Sequence, residues 1–503
     1  MLDSLLRLIL TARVYEAAVE TPLEYAPSLS ESLGNTVFLK REDLQPVFSF
    51  KLRGAYNKIA NLSDEDKSKG IIAASAGNHA QGVAYSAKKL NLKALIIMPL
   101  TTPTIKVEAV RRMGAQVQLH GDNYSEAAEL CNSLAKEKNM TFIHPFDDEL
   151  IIAGQGTVGD EIMRQSGGRV DAIFIPIGGG GLISGVAAYV KALNPNIKII
   201  GVEPEDSDAM ARSLAANELV ELDSVGIFAD GVAVRKVGKL TFDLCQKHID
   251  EVVRVNTDAI CGAIKASFLA TRAIVEPAGA LALAGLQKWV TDNNIQGQRL
   301  VAINSGANMN FERLRYIAER TLVGEQREAL FAVSIPEKPD SLRRFCDNVV
   351  EDRNITEFRY RLATRSEAHI FFGMTMSPKE NRQDIIKLAK ESGFNCTDLT
   401  ENELAKTHVR HMVGGRAKTA KNERLFRFWF PERPGALSKF LNAMGKTWNI
   451  SLFHYRLHGT DFGRVLIGLE IPENQNDKLT KFLADVGYRY QEESDNPAYK
   501  LFL

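Results

Sequence analysis

Between Val37 and about Asn308 the chain alternates short apolar runs with stretches whose apolar residues recur every three or four positions. Apolar runs bounded by turn residues predict strands, and the 3.6-residue period predicts amphipathic helices. The strands so predicted are 37–39, 71–74, 94–98, 117–119, 142–144, 172–177, 198–202 and 300–303. Helical patterns such as 81–90, 104–113 and 125–138 lie between them. This alternation implies right-handed crossovers and a mostly parallel sheet covered by helices. The strands suffice for two open sheets facing each other across a cleft, the place where α/β folds of this kind bind ligands. Ahead of them, 2–12 is apolar with Asp3 and Arg7 at helical spacing. Without a basic leader or a small-residue cleavage site it reads as an amphipathic helix and not a signal peptide.

After Phe311 the pattern changes. A charged, helix-prone segment (312–327) leads into a region that duplicates itself. Leu330-Phe331-Ala332-Val333-Ser334-Ile335-Pro336-Glu337-Lys338-Pro339 is echoed by Leu425-Phe426-Arg427-Phe428-Trp429-Phe430-Pro431-Glu432-Arg433-Pro434, and Phe331 to Phe426 is an offset of 426 − 331 = 95. Asn354-Ile355-Thr356 matches Asn449-Ile450-Ser451 in the same register. So do Phe358, Tyr360 and Arg361 with Phe453, Tyr455 and Arg456, and Gly373 with Gly468. Each copy predicts strand, Pro turn, helix, strand, strand, helix, strand, an α+β βαββαβ module. The period is too long for a solenoid repeat, so whole domains are duplicated. The expected organisation is 1–322 as one α/β domain of two subdomains, modules at 328–408 and 423–503, and a linker at 409–422.

Composition narrows the classes. Lys plus Arg equals Asp plus Glu at 62 each, so no basic surplus points to nucleic acid or a membrane surface. No uninterrupted apolar run reaches membrane-spanning length. Cys131, Cys245, Cys261, Cys346 and Cys396 show no spacing for zinc or a disulfide framework, which fits reduced thiols in a cytoplasmic protein.

Candidate chemistry begins at Ile173-Phe174-Ile175-Pro176-Ile177-Gly178-Gly179-Gly180-Gly181-Leu182, a strand, four glycines and a helix start. Backbone N–H groups converging at a helix N-terminus make a phosphate site. Glu203 at the end of the next strand suggests a dinucleotide, but the spacing lacks the third glycine of that fingerprint. Lys51, among Phe48, Phe50 and Leu52, is a candidate nucleophile if its site is desolvated; a solvated surface lysine is the alternative. Ser75-Ala76-Gly77-Asn78-His79 follows a strand and opens a helix. It is either a second anion site, suited to a carboxylate, or a Ser/Asn helix cap with His79 packed beneath the loop. Ser305, at the end of the last α/β strand, is either a neutral hydroxyl for a cofactor or part of an ordinary turn.

The Ser-Phe-Lys-Leu-Arg-Gly-Ala block, the Ser-Ala-Gly-Asn-His-Ala-Gln-Gly block, the four-glycine loop and the Ser-Gly-Ala-Asn block, in this order, resemble the pyridoxal-phosphate enzymes of the tryptophan synthase β fold (fold type II). With the duplicated C-terminal region, the whole chain resembles the biosynthetic threonine dehydratases (threonine deaminases). The resemblance implies pyridoxal 5'-phosphate held by Lys51 as a Schiff base, by Asn78 at the ring hydroxyl, by Gly178, Gly179, Gly180, Gly181 and Leu182 at the phosphate, and by Ser305 at the pyridine nitrogen. It implies a substrate carboxylate bound by Ser75, Ala76, Gly77, Asn78 and His79. The activity implied is β-elimination of L-threonine to 2-oxobutanoate and ammonia, and of L-serine to pyruvate, feeding isoleucine synthesis. The duplicated modules resemble ACT-like effector domains, which implies inhibition by isoleucine with valine as antagonist, Tyr360 and Tyr455 as effector contacts, and a homotetramer. Glu276-Pro277-Ala278-Gly279-Ala280 is similar to a family block near the cofactor.

Two departures matter. Where related racemases and catabolic dehydratases carry a second metal carboxylate after Glu203, this chain has Ala209, so no metal is expected. The Pro-Gly-Ala-Leu turn of the second copy (434–437) becomes Pro339-Asp340-Ser341-Leu342 in the first, so the two copies are expected to bind effectors unequally. Another lyase of the same fold, such as a serine dehydratase or racemase, a nicotinamide-dependent oxidoreductase and a non-catalytic amino-acid sensor stand as alternatives; the duplicated tail argues against the first, the second leaves Lys51 and the Ser75–Gly82 block without a role, and keto-acid production from threonine would exclude the third.

Overall fold

A computed structural model of the chain describes residues 2–121, 124–226, 228–311, 313–325, 327–351, 353–362, 366–377, 380–407, 409–412, 417, 419–431, 435–456, 462–496 and 499. They form two compact units, Met1–Thr321 and Leu322–Leu503. Glu432, Arg433 and Pro434 of the second Pro turn, and 413–416 and 418 of the expected linker, lie outside the described residues.

The first unit holds two open sheets. The smaller is all parallel, in the order Gln116–Leu119, Ala94–Met98, Ile71–Ala74, Thr141–Phe142. Both central strands are buried along their whole length, as expected of a sheet covered by helices on each face. The larger runs Leu23–Tyr25, Thr36–Arg41, Arg299–Asn304, Ala172–Pro176, Lys198–Pro204, Glu251–Val255, with only the first strand antiparallel. The strand predicted at 142–144 stops at Phe142. His144 leaves the ladder because its Nδ1 accepts the backbone N–H groups of Phe146 and Asp147 (3.2 and 2.8 Å).

Helix Glu149–Ser166 ties the two sheets together. Asp148 caps it by accepting the N–H groups of Leu150 and Ile151, and Gly167, left-handed at φ 62, ends it. It packs against helix Lys51–Ala60 backbone to backbone. A Cβ on Gly54 would lie 2.7 Å from the Ile151 carbonyl, and one on Gly154 would lie 2.7 Å from that of Arg53. Neither glycine can be replaced without prising the helices apart.

The second unit is one eight-stranded antiparallel sheet with helices. Its first module runs Glu328–Pro336, helix Ser341–Phe345 with a π-helical turn after it, Ile355–Arg361, Glu367–Thr375, helix Arg382–Glu391, Asn395–Asp398. The second runs Glu423–Pro431, helix Ala436–Met444, Asn449–Arg456, Phe462–Glu470, helix Asn476–Val486, Arg489–Glu492. Both are the βαββαβ order of the duplicated pattern. The modules fuse edge to edge, Ile355–Arg361 pairing antiparallel with Asn449–Arg456 from Glu357↔Arg456 to Arg361↔Leu452. Each module thereby covers the strand edge the other would leave open. Val409–His411, inside the expected linker, forms a 3-10 turn whose Arg410 is buried and ion-paired with Glu357 (2.6 Å).

Candidate active site

Lys51 opens its helix at the carboxyl end of the large sheet. The segment before it is strapped to the end of strand Arg299–Asn304: the Phe50 N–H donates to the Ser305 carbonyl (3.2 Å), and Ser49 bridges Gly306. Two residues on, Arg53 is fully buried. Its guanidinium meets Glu42 (2.8 Å) and Glu161 (2.6 Å), and Glu161 also accepts from Lys40 (2.6 Å). Two cations face two carboxylates, so the cluster is neutral, the condition under which such burial is tolerated. The Lys51 amine donates to the Pro145 carbonyl (3.1 Å) and has no acidic partner among the described residues, and desolvation pulls its pKa from 10.5 to about 8. Such an amine is far readier than a surface lysine to attack a carbonyl.

The four glycines join strand Ala172–Pro176 to helix Gly181–Leu193. Gly180 is left-handed at φ 94. A Cβ on Gly179 would stand 2.2 Å from the Phe146 ring, and one on Gly181 would stand 3.1 Å from the Phe146 Cβ. The Gly179 carbonyl accepts from Thr241 Oγ1 (2.7 Å), which fixes that peptide, and the N–H groups at such a helix start suit an anion. His144 braces Phe146 edge-on at 4.8 Å between ring centres. Pro145–Phe146 therefore touches both the lysine amine and the glycine loop, which lie 127 residues apart (178 − 51).

Across the cleft, strand Ile71–Ala74 runs into the Ser75 turn. The Ser75 hydroxyl accepts the Gly77 N–H (3.1 Å), and helix Asn78–Lys89 begins with no side-chain cap. Its first-turn N–H groups have no intrahelical acceptors, so the turn suits a carboxylate. Asn78 does not cap: its Nδ2 donates to Glu276 Oε1 (2.5 Å), and its Oδ1 accepts from Asn308 Nδ2 (2.7 Å). His79 is buried beneath the loop, its Nε2 3.0 Å from the Ile143 carbonyl. Desolvation, with the charge of Lys51 nearby, pushes its pKa down to about 3, so the ring is neutral and Nε2 is the donor. The Ser305 hydroxyl is buried and donates to the Ala278 carbonyl (3.1 Å).

Lys51 and the glycine loop thus meet at Pro145–Phe146, Phe50 ties the lysine to Ser305, and Asn78 of the Ser75 turn reaches the larger sheet's side through Asn308 and Glu276. Phe146, His144 and Thr241, which support the site, carry no distinguishing sequence pattern beyond the His-Pro-Phe that follows a strand. Glu203, which the sequence suggests as a ribose ligand, is buried at the end of strand Lys198–Pro204. Its carboxylate accepts the N–H groups of Met210 and Ala211 (3.0 and 2.8 Å) at the start of helix Ala209–Ala216. Among the described residues no group of three or more His, Cys, Asp or Glu could hold a metal ion.

In the second unit, Tyr360 and Tyr455 face each other's modules across the fused strands, each lining a pocket at the seam. The Tyr360 hydroxyl donates to Glu337 (2.5 Å), which also accepts from Asn449 Nδ2 (2.9 Å), beside Asp340, Arg343 and Trp448. The Tyr455 pocket is lined by Arg353, Asn354, Phe430, Gly435 and Leu437. The two are related by the 95-residue offset: 455 − 360, 449 − 354 and 435 − 340. They differ at the turn, where Asp340 adds a carboxylate bonded to Arg343 (2.6 Å) and Gly435 leaves open space.

Comparison with known proteins agrees with this architecture. A family profile described as pyridoxal-phosphate dependent enzyme matches residues 14–306. A second, the C-terminal regulatory domain of threonine dehydratase, matches 319–409 and again 414–503. The chain is 56% identical over 501 residues to a biosynthetic L-threonine dehydratase of Burkholderia multivorans, covering 99% of both chains. It is 50% identical over 499 residues to that of Escherichia coli, covering 99% of this chain and 96% of the other. Among solved structures, the processed form of threonine deaminase isoform 2 from Solanum lycopersicum is 49% identical with a TM-score of 0.62, covering 63% of this chain and 93% of that one.

Proposed function

The chain belongs to the biosynthetic threonine dehydratases and is a pyridoxal-phosphate-dependent lyase; from that premise we propose how its own residues divide the work. The reaction is β-elimination of L-threonine to 2-oxobutanoate and ammonia, with L-serine going to pyruvate. In this reading, residues 1–322 carry catalysis, modules 328–408 and 423–503 carry regulation, and 409–422 links them.

The cleft suits the cofactor on four counts: an amine of lowered pKa, a glycine turn with no room for side chains, an amide donor held at Asn78, and a neutral hydroxyl at Ser305. Bound, the cofactor supplies an electron sink for the pair left at Cα when the proton departs. Lys51 would hold the cofactor through its amine, and once the substrate's own amine takes that place, the neutral Lys51 amine would be the base for the Cα proton. The glycine loop anchors the phosphate, and the Ser75–His79 turn holds the substrate carboxylate so that the Cα–H bond faces Lys51. Ser305 would face the pyridine nitrogen with a neutral hydroxyl, which cannot stabilise a protonated ring as a carboxylate would, so the electron sink would be a moderate one suited to elimination.

The observation that carries this reading is the Pro145–Phe146 segment, which holds the desolvated amine and the glycine turn in one rigid contact. The test is 2-oxobutanoate formation from threonine. Lys51→Ala is expected to lose it more than a thousandfold while the chain still folds, and a variant keeping a tenth of wild-type activity overturns the assignment.

Isoleucine as inhibitor, valine as antagonist, a homotetramer and a cytoplasmic location complete the proposal. The seam pockets support the first two. Each combines an aromatic ring and aliphatic side chains with polar groups, the complement of a branched amino acid. That none of the five cysteines is in a disulfide supports the last.

A further inference from the structure

Glu276 stands outside every role given so far. It precedes helix Pro277–Asn293, is 3% exposed, and among the described residues has no ammonium or guanidinium within ion-pairing distance. Burying a carboxyl this way is costly, and it persists only where the surroundings over-determine it. They do so here. The Glu276 N–H is bonded to the Gly306 carbonyl (3.1 Å), and its Oε1 lies 2.5 Å from where a Cβ on Gly306 would stand and 3.6 Å from one on Gly231. Two residues without side chains make the socket for one carboxyl.

What the socket aims at follows from a chain of donors that begins on a backbone carbonyl. Val47 C=O can only accept, so the amide of Asn308 must turn its Nδ2 towards it (2.8 Å). The same Nδ2 reaches Asn78 (2.7 Å), so Asn78 must present its oxygen there. The nitrogen of Asn78 is then forced towards Glu276 Oε1, which accepts it at 2.5 Å. An amide has two ends, and both ends of Asn78 are fixed in one orientation. One N–H is spent on Glu276 and the other remains for a ligand in the cleft.

Resting on the assignment of Asn78 to the cofactor's ring oxygen, we propose that Glu276 is a positioning residue that, with Asn308, locks the Asn78 amide so that an N–H, and never its carbonyl, meets that oxygen. A flipped amide would set two acceptors against each other. Burial and the charge of Asp230 raise the Glu276 pKa to about 7, while Asn78, Lys106 and Arg313 oppose the rise. Ionised or protonated on its other oxygen, the carboxyl still offers Oε1 as an acceptor, so the lock holds on either side of that value. The lock also crosses the cleft, since Asn78 belongs to the smaller sheet's side and Glu276 and Asn308 to the larger's.

The test titrates apoenzyme with pyridoxal phosphate and records the dissociation constant and visible absorbance of the bound cofactor for wild type, Asn78→Ala, Glu276→Ala, Glu276→Gln and the Asn78→Ala/Glu276→Ala double variant. Asn78→Ala is expected to shift the absorbance and weaken binding; if it changes neither, the assignment of Asn78 to the ring fails, whatever Glu276 does. Glu276→Ala is expected to weaken binding roughly tenfold with the same direction of absorbance shift, and to add nothing once Asn78 is gone. Glu276→Gln keeps a carbonyl at the acceptor position and is expected within about threefold of wild type in affinity, with an unshifted spectrum. Additive effects in the double variant, a silent Glu276→Ala, or a glutamine variant as impaired as the alanine one would each overturn the proposal. Should Glu276→Ala not fold, Asn308→Ala, which frees the other end of the amide, is held to the same non-additivity with Asn78→Ala.

Discussion

At the scale of single residues, the chemistry depends on how little water and how few charges surround Lys51. Among the described residues its one hydrogen-bond partner is a backbone carbonyl, and none of their carboxylates stands near enough to hold the ammonium form. Charging it is therefore disfavoured, and the amine is half neutral near pH 8, where a surface lysine is almost wholly protonated. Capture of pyridoxal phosphate by apoenzyme should therefore rise about tenfold per pH unit below that value and level off above it. A rate that keeps climbing towards pH 10 would show that the amine is ordinary. Stopped-flow absorbance on apoenzyme measures it directly. His79 shows the opposite use of desolvation: with its pKa pushed to about 3 it stays a neutral donor throughout.

At the scale of elements, the glycine loop works because it is packed and not because it is loose. Phe146 and Thr241 fill the space where side chains would be and fix which way the Gly179 peptide points. Gly179→Ala pushes a methyl into the Phe146 ring, an overpacking worth about 1–3 kcal/mol, and Phe146 adjoins the carbonyl that holds Lys51. Cofactor affinity is expected to fall at least tenfold, and Phe146→Ala added to Gly179→Ala should recover part of it by clearing the clash. Equilibrium dialysis of the two variants decides the matter. If Gly179→Ala binds as wild type, the contact does not shape the cofactor site proposed at this turn.

At the scale of the whole molecule, regulation needs a ligand that distinguishes two states of the enzyme from a second site. Fusing the modules through Ile355–Arg361 and Asn449–Arg456 brings Tyr360 and Tyr455 onto the two strands of the seam, so a ligand beside either ring touches both modules. Tyr455→Ala is expected to move the isoleucine inhibition curve roughly tenfold or more, within the 1–3 kcal/mol of typical allosteric coupling, with kcat and KM measured without effector near wild type. Steady-state assays over an isoleucine series check it: an unmoved curve removes Tyr455 from the effector site, and a joint loss of activity and response marks it as structural. The Tyr360 pocket, with Glu337 and Asp340 at its rim, should bind an amino acid less readily at the carboxylate end than the pocket opened by Gly435.

The sequence by itself determined the two sheets, the glycine turn ahead of helix Gly181–Leu193, the start of a helix near Lys51, and the duplication with its register. Each of these is local: a buried strand such as Ile71–Ala74 or Ala94–Met98 is apolar throughout because both its faces are covered. Strands Leu23–Tyr25 and Glu251–Val255 were not legible. They close the two edges of the large sheet, where short length and partial exposure erase the pattern. Only the tertiary structure decided that Phe146 and Thr241 shape the glycine loop, that Arg53 is buried with Glu42 and Glu161, that the modules share one sheet, and that Asn78 is held from across the cleft by Glu276 and Asn308. Periodicity records whether a residue is buried. Which distant residue buries it is set by topology, and 198 positions separate Asn78 from the carboxyl that orients it.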